Sequence, residues 1–259
     1  MMLQQTQTSR VVEFYKRWLK KFPSFSSLAR ASAGEVLREW SGLGYNNRAL
    51  RFHRLANIIA ERFHSQLPRD PVELQKLPGI GKYTAHAVAC FAFRKPVPVV
   101  DVNIKRVLTR VSKPVRSSVE LLHEQTAWQL AGKFLPERNA YQWNQALMDL
   151  GATLCTARNP QCKKCPLKNY CRSAFSPSFS KRIGREKKQE PSWKGIPRRL
   201  YRGKILKMLH HHSLDVQNIA VQLWKNHDDK DLEWLNGVLA QMKRDGIVSH
   251  NKNIFRIVE

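Results

Sequence analysis

Residues 77–106 read LPGIGKYTAHAVACFAFRKPVPVVDVNIKR, and this stretch decides the fold. A short helix is predicted before the tight hairpin of residues 78–81, and Lys82 opens the next helix. Gly79 and Gly81 let backbone N–H groups approach an anion closely, and the second helix adds its positive N-terminal end. LPGIG alone would also suit an ordinary helix–helix turn. Followed by a helix and the polar-ended VVDVN, it predicts a hairpin that holds a phosphate backbone without reading bases.

The chain is strongly basic. Its 259 residues include 45 Lys and Arg against 20 Asp and Glu, which gives a net charge of +25 and an isoelectric point of about 10.3. Such a surplus predicts a polyanionic partner, and nucleic acid is the usual one. No segment approaches the roughly 20 apolar residues of a membrane span, and no signal peptide is found. We therefore expect an intracellular protein, cytoplasmic and nucleoid-associated, with no membrane partner.

Helix signals dominate up to about residue 151. Ser32 with Glu35 predicts a capping box, and so does Asp70 with Glu73. The apolar VPVV that follows Pro96 is too short and too close to proline for a sheet. This part of the chain is predicted to be all-α.

The first residues are predicted to belong to a buried helix. No Ser, Thr, Asp or Asn stands ahead of them to cap its start. The positions that suggest this helix are Met2, Leu3, Thr6, Val11 and Val12. An uncapped start raises the question of whether helical residues precede Met1.

The composition shifts near residue 173. Residues 176–197 are rich in Ser, Pro and Lys and predict a basic linker, either in contact with phosphates or simply solvated. Residues 198–259 predict a winged-helix-like module, with two strands after three short helices, Arg199–His211, Val216–Lys225 and Asp231–Arg244. The third helix opens with Asp231 and Glu233, which is poor for base reading. We expect a packing or auxiliary DNA-holding role for this module.

Four of the five cysteines fall in one 17-residue window, with the spacing C-x6-C-x2-C-x5-C. They are Cys155, Cys162, Cys165 and Cys171. Zinc ribbons usually pair two C-x2-C knuckles, and here there is one. Four thiolates can also hold a 4Fe-4S cluster. Cys90, within the apolar helix after the hairpin, is expected in the core.

Together these motifs resemble the helix-hairpin-helix DNA glycosylases typified by endonuclease III, and most closely the adenine glycosylases of the MutY type. The resemblance runs from Met2 to about Tyr170. It implies a mainly α fold with a six-helix helix-hairpin-helix lobe over 1–97, its first helix incomplete, and an iron-sulfur cluster lobe over 98–175. It also implies a DNA N-glycosylase of base-excision repair that removes adenine mispaired with 8-oxoguanine or guanine. The cysteine spacing matches the family's loop for a structural 4Fe-4S cluster.

The resemblance implies that Asp101, in VVDVN, is catalytic. Breaking an N-glycosidic bond develops positive charge on the deoxyribose, and a fixed carboxylate stabilises that cation. Asp101 also precedes the predicted helix Asn103–Val111, so it suits a helix N-cap, and the two roles are compatible. Val102 stands where the family has glycine.

Tyr83 decides the reaction subclass, and we expect it to line the pocket. The endonuclease III branch has a lysine here, whose amine attacks the sugar as a Schiff-base nucleophile. Tyrosine forms no imine, so the resemblance implies a monofunctional enzyme that removes the base only. Tyrosine also occurs here in branches that remove thymine opposite guanine, which is the alternative substrate. Lys82 is expected to contact DNA and to point elsewhere on the helix than Tyr83.

MLQQTQ and GLGYNNRA favour the adenine branch. Carried over by position, Gln5, Thr6, Leu43 and Tyr45 are the expected DNA contacts. An enzyme that flips a base out of the stack must fill the gap, for which an amide or a planar side chain is suited. The alternative for Tyr45 is a loop aromatic that covers the core.

In the MutY type, a glutamate and one aliphatic residue precede MLQQTQ, and the glutamate protonates the departing adenine. By this alignment the acid falls one residue ahead of Met1, and Glu13 lies too far along the segment to replace it. We expect a longer protein; the alternative is a paralogue that binds lesion DNA without efficient excision. The tail does not resemble the Nudix-like domain that inspects 8-oxoguanine. The expected partner is double-stranded DNA with a mismatch or an oxidised guanine, bound by a monomer.

Overall fold

The computed structural model describes residues 1–179, 190–210 and 212–259. Residues 180–189 of the predicted basic linker, and His211 at the end of a predicted helix, lie outside the described residues. The fold is mainly helical, as predicted, and the strands lie in the C-terminal part. The helices are α1 (Thr8–Lys21), α2 (Phe25–Arg30), α3 (Ala33–Trp40), α4 (Asn47–Arg62), α5 (Pro71–Gln75), α6 (Lys82–Phe91), α7 (Val102–Ser112), α8 (Glu124–Lys133), α9 (Ala140–Thr153), α10 (Arg198–Leu209), α11 (Val216–Leu223) and α12 (Asp229–Arg244). The strands are β1 (Ser192–Trp193), β2 (Ile196–Pro197), β3 (Leu214–Asp215), β4 (Val248–Asn251) and β5 (Ile254–Ile257).

The N-terminal helices and the C-terminal module belong to one compact unit. It comprises residues 1–67, 77–79 and the described residues from 190 onward. Its hydrophobic core includes Leu37 of α3 and Ile205 of α10, both fully buried. The end of the module reaches the first turn of α3, where a Cβ on Gly34 would lie 3.0 Å from the Val258 carbonyl oxygen. The module is therefore packed into this unit.

The C-terminal module has the predicted three helices followed by a hairpin. Its sheet is antiparallel in the order β3-β5-β4, with Leu214 paired to Phe255 and Val248 paired to Ile257. A tight turn joins β4 to β5. The residues of that turn are Lys252 and Asn253, with φ of 44° and 64°, as such hairpins require. β3 was not predicted, and neither was the hairpin of β1 and β2 within the segment assigned to the linker.

The second compact unit comprises residues 68–76 and the described residues from 80 to 179. Buried side chains of α7, α8 and α9 form its core, among them Ile104, Ala127 and Leu147. The lobes predicted as 1–97 and 98–175 stay predictions. Across the described ranges, no helix combines the length and the apolar character needed to cross a bilayer.

The apolar VPVV segment forms no strand, as predicted. The buried side chain of Asn144 on α9 bonds its backbone instead, since it accepts from the Val99 N–H at 2.9 Å and donates to the Val97 carbonyl at 3.0 Å. The same amide lies 3.3 Å from the sulfur of Cys90, which is fully buried as expected. One polar side chain thus replaces a sheet partner in satisfying this extended segment.

One of the two predicted capping boxes forms. Ser32 and Glu35 exchange side-chain and backbone hydrogen bonds at 3.2 Å and 2.9 Å at the start of α3. Asp70 caps α5, but the box with Glu73 is wrong, because the Glu73 carboxylate accepts from Lys76 Nζ at 2.6 Å instead. Opposite charges three residues apart on a short helix favour that pair.

The expectation of one buried helix from residue 2 onward is wrong. α1 begins at Thr8, and the residues before it form turns in which Gln5 adopts φ of +58°. Of the positions that suggested the helix, Met2 and Val11 are buried, whereas Leu3 and Val12 are exposed. A left-handed residue cannot continue a right-handed helix, so the apolar spacing ahead of it carries no helical face.

Candidate functional site

The carboxylate of Asp101 is held at the start of α7. Its Oδ1 accepts a hydrogen bond from the Ile104 N–H at 2.7 Å, and its Oδ2 accepts one from Asn103 Nδ2 at 2.9 Å. Arg106 Nη2 fixes Asn103 in turn, donating to its Oδ1 at 2.9 Å and to the Gly151 carbonyl at 2.6 Å. The predicted N-cap is confirmed, and these bonds set the orientation of the carboxylate.

Tyr83 is the second residue of α6, and its ring is partly exposed. Burial raises the pKa of the Tyr83 phenol, and the negative charge of Asp101 raises it further. The phenol therefore keeps its proton at neutral pH within electrostatic reach of the carboxylate. The structure brings these two candidates of the second unit together.

His86, one turn beyond Lys82 on α6, is a neighbour that the sequence reading missed. Its Nδ1 lies 2.9 Å from the Pro98 carbonyl oxygen, and its ring packs 4.6 Å from the Trp128 ring. The Lys82 ammonium lies 4.4 Å from the same indole, so this lysine does point elsewhere than Tyr83. Burial lowers the pKa of His86. The hydrogen bond with the Pro98 carbonyl raises this pKa, and the positive charge of Lys82 lowers it again. The four-residue spacing of Lys82 and His86 could have indicated their shared face.

The two glycines of the hairpin differ in their backbone. Gly79 has φ of +80°, which other residues rarely adopt, and its carbonyl accepts from Gln4 Nε2 at 3.2 Å. Gly81 is the N-cap of α6 with φ of −85°, has no capping side chain, and faces open space where a Cβ would be. The first N–H groups of α6 are therefore free of a side-chain cap and suited to an anion.

The candidates of the first unit lie at two loops. Gln5 is exposed at the turn ahead of α1, and Tyr45, 58% exposed, adopts φ of +49° ahead of α4. Leu43 is only 5% exposed and belongs to the hydrophobic core, so its side chain supports the loop. The Thr6 hydroxyl accepts a hydrogen bond from Arg48 Nη2 at 3.1 Å.

Arg48 is a second residue that sequence reasoning missed. It is buried at 7% exposure, although arginine is usually found at the surface. Its spacing to Leu55 and Ile59 places it on the buried face of α4, and that is the signal that could have found it. Burial lowers the pKa of its guanidinium.

The four cysteines together line one cavity with Arg110 and Phe179, and none of them forms a disulfide. Arg110 Nη1 lies 3.4 Å from the sulfur of Cys155, and Cys171 donates to the Arg110 carbonyl at 3.2 Å. Burial raises the pKa of Cys171, and the backbone hydrogen bond with Ser173 opposes this rise. The charges of the other three cysteines raise the pKa further, a repulsion that a bound cation would relieve.

The donor set suits a 4Fe-4S cluster. Within the described residues, no three His, Cys, Asp or Glu side chains are arranged to hold one metal ion. In a 4Fe-4S cluster each thiolate binds its own iron, so the sulfurs need only surround a common space. Sulfur from four cysteines around one cavity meets that requirement.

A helix-hairpin-helix with uncapped N–H groups, a fixed carboxylate and a cysteine-lined cavity define an iron–sulfur protein of DNA base excision. The chain belongs to the HhH-GPD superfamily of base excision DNA repair proteins, whose family pattern matches residues 1–131. Residues 155–171 match the iron-sulfur binding domain of endonuclease III. The predicted 4Fe-4S cluster is thereby confirmed, with the four cysteines of this segment as the residues present to hold it.

Two relatives and one solved structure show how far the similarity extends. The adenine DNA glycosylase of Mycolicibacterium smegmatis is 42% identical over 210 residues, which cover 80% of this chain and 69% of the relative. The adenine DNA glycosylase of Mycobacterium tuberculosis is 45% identical over 172 residues, 66% of this chain and 56% of the relative. The structure of a thermostable thymine-DNA glycosylase superposes with a TM-score of 0.60 at 29% identity, over 66% of this chain and 78% of that one.

Proposed function

We propose that this protein is a DNA N-glycosylase that removes adenine mispaired with 8-oxoguanine or guanine. The observation that carries the proposal is the Asp101 carboxylate, fixed by the Ile104 N–H and the Asn103 amide near the Tyr83 phenol. The similarity to two adenine DNA glycosylases supports adenine as the base.

Asp101 would act by electrostatic stabilisation. The C1′–N9 bond breaks with its electron pair leaving on adenine, which takes up a proton. The deoxyribose is left with positive charge, and the carboxylate stabilises it while water adds to C1′ and releases a proton. Because the hydrogen bonds of Asp101 already exist before substrate binds, little reorganisation is needed during the reaction.

The reaction would stop at base removal. Strand cleavage through a Schiff base needs an amine at the sugar, and Tyr83 provides a phenol that keeps its proton. The Lys82 amine next to it lies over the Trp128 indole. The 4Fe-4S cluster would order residues 155–171, since hydrolysis of a glycosidic bond transfers no electrons.

Double-stranded DNA with a mismatch or an oxidised guanine would be bound by a monomer in the cytoplasm, at the nucleoid. The uncapped N–H groups of α6 behind Gly81 would contact a phosphate, and the net charge of +25 supports general attraction to DNA. Exposed Gln5 and Tyr45 would enter the duplex, and Thr6 and Leu43 would support them. The predicted contact by Lys82 would come from the exposed part of its side chain.

Single-turnover release of adenine from 8-oxoguanine·A and G·A duplexes tests this proposal. The chain is compared with Asp101→Asn, with the exposed-carboxylate control Asp149→Asn, and with a form extended by residues ending in glutamate ahead of Met1. We expect the extended form, at least, to release adenine. Asp101→Asn should abolish this release, and Asp149→Asn should retain it. Excision that survives Asp101→Asn would overturn the proposed role of Asp101.

Thymine removal from G·T mismatches is the second candidate, supported by the similarity to a thymine-DNA glycosylase structure. A G·T duplex run in the same assay separates the two, because thymine release without adenine release would reverse the assignment. Binding of the lesion duplex by both forms without release of either base would indicate a non-catalytic lesion binder.

A further inference from the structure

Arg48 lies at the second residue of α4 and is buried without a carboxylate partner among the described residues. Its two terminal nitrogens donate to carbonyl and hydroxyl oxygens instead, whereas Nε has no hydrogen-bond partner among the described residues. A buried cation that has no acid must gain its stability from such oriented dipoles. The identity of these acceptors therefore indicates what the residue holds.

The acceptors come from two separate loops. Arg48 Nη1 donates to the carbonyls of the N-terminal loop, and Nη2 donates to the Thr6 hydroxyl and to the loop ahead of α4. The Nη1 acceptors are the carbonyls of Met1 at 3.3 Å, Met2 at 2.9 Å and Gln4. The Nη2 acceptors are Thr6 Oγ1 at 3.1 Å and the carbonyls of Leu43 at 3.4 Å and Gly44 at 3.1 Å. One guanidinium thus bridges residues 1–6 to residues 43–44.

Aromatic rings hold the guanidinium in place. Its carbon lies 5.3 Å from the ring of Trp40, which is fully buried, and 5.3 Å from the ring of Tyr45. Trp40 Nε1 also donates to the Gly44 carbonyl at 3.0 Å. Arg10 of α1 adds a second bridge, because its side chain donates to the Gly42 carbonyl.

Both bridged loops present an exposed side chain from a strained backbone. Gln5 and Tyr45 have φ of 58° and 49°, in the left-handed region that non-glycine residues rarely occupy. Such conformations persist only where the surroundings over-determine them. Arg48 bonds the residue next to each of them, since it donates to the carbonyls of Gln4 and Gly44.

We propose that Arg48 is a positioning residue that locks the two loops together, so that Gln5 and Tyr45 meet the base opposite the target as one preorganised unit. The inference rests on the proposed function, which has these side chains entering the duplex. Lysine cannot replace arginine here, because a single ammonium lacks the planar fork that reaches both loops.

The test compares Arg48→Lys with Arg62→Lys, a matched change at an exposed position near the end of the same helix. Amide hydrogen exchange of residues 1–6 and 42–46 is measured together with the single-turnover rate. The rate is taken for adenine opposite 8-oxoguanine and opposite an abasic site, where the loops have no base to meet. We expect Arg48→Lys to speed exchange in both loops and to lower the ratio of the two rates about tenfold or more. Arg62→Lys should leave both readouts unchanged.

Several outcomes would overturn the inference. Exchange that stays slow in either loop would show that Arg48 does not couple them. Equal losses of rate on both duplexes would show a general structural role. Where Arg48→Lys fails to fold, Arg48→Gln, which keeps a planar donor without the charge, is measured in its place. Absence of adenine release from the chain and from its extended form alike would reject the proposed function, whereas the exchange result would still decide whether Arg48 locks the loops.

Discussion

Asp101 Oδ1 accepts a hydrogen bond of 2.7 Å from the backbone N–H of Ile104, so the carboxylate proposed to stabilise the sugar cation also caps α7. The cap orients the carboxylate, and the same bond stabilises the helix that carries Arg106 toward the segment of the first cluster cysteine. Two properties of one side chain, charge and capping, are separable by substitution.

Asp101→Asn and Asp101→Ala should therefore differ in stability but not in activity. Asparagine caps a helix as well as aspartate, whereas alanine at an N-cap costs about 1 kcal/mol. We expect both variants to lose adenine release by about 100-fold or more, since neither carries the stabilising charge. Denaturant unfolding and single-turnover excision check this, and equal stabilities would show that the cap contributes nothing.

Gly79→Ala and Gly81→Ala should separate folding from DNA binding. Gly79 has φ of +80°, so alanine there should cost about 1 kcal/mol of unfolding free energy. Gly81 has an ordinary φ and open space at its Cβ position, so alanine should leave stability unchanged. The added methyl would stand ahead of the α6 N–H groups and weaken duplex binding. Equal affinity of Gly81→Ala and the wild type for an undamaged duplex would contradict the phosphate contact.

Cys162→Ser should lower the iron content, because it removes one of the four proposed ligands that line the cavity. Cys90→Ala is the matched control. Cys90 is buried on α6 beside Asn144, away from the cysteine-lined cavity, so its substitution should leave the iron content unchanged. Iron per chain and the visible absorbance of the purified proteins provide the measurement. Full iron content in Cys162→Ser would remove this residue from the ligand set.

Tyr83→Lys should give the protein a new covalent step. The introduced amine would attack C1′ as the base departs, and the resulting imine would be reduced by borohydride to a stable protein–DNA link. Neither the wild type nor Tyr83→Phe should be trapped, although both contain Lys82. Trapping of the wild type would show that another amine reaches the sugar and that base removal is not the only reaction.

Asp231 should make the stability of the first unit sensitive to acid. Its carboxylate accepts from Lys194 Nζ at 2.7 Å and Trp193 Nε1 at 2.6 Å. The Lys194 bond is the main cause that lowers the pKa of Asp231 from 3.8 to about 2, against the opposing effect of desolvation. A lowered folded-state pKa means that this stability is present above the ordinary value and is lost as the pH falls toward 2.

Asp231→Asn should accordingly lower Tm at about pH 6 and approach the wild type at about pH 3. Asp229→Asn, an exposed carboxylate in the same helical turn, serves as the control and should show no such convergence. Acid damage to the cluster would affect all three proteins alike and cancel in the differences. A Tm gap for Asp231→Asn that is constant with pH would contradict the ionic contribution.

The sequence by itself determined the local features of this protein. The hairpin, the Asp101 cap and the spacing of the cysteines each depend on residues within a few positions of one another, so the chain order indicates them directly. The helices and the C-terminal hairpin were predictable for the same reason. The capping box at Asp70 failed because two local partners competed for Glu73.

The tertiary structure alone decided which candidate side chains are presented and what holds them. Leu43 and Tyr45 stand two residues apart in one loop, yet one is packed in the core and the other is exposed. Arg48 bonds residues 42 to 47 positions earlier in the chain, a relationship that no local pattern encodes. The C-terminal helices join the same core as α3, because apolar surface is buried wherever complementary surface lies in space, independent of separation along the chain.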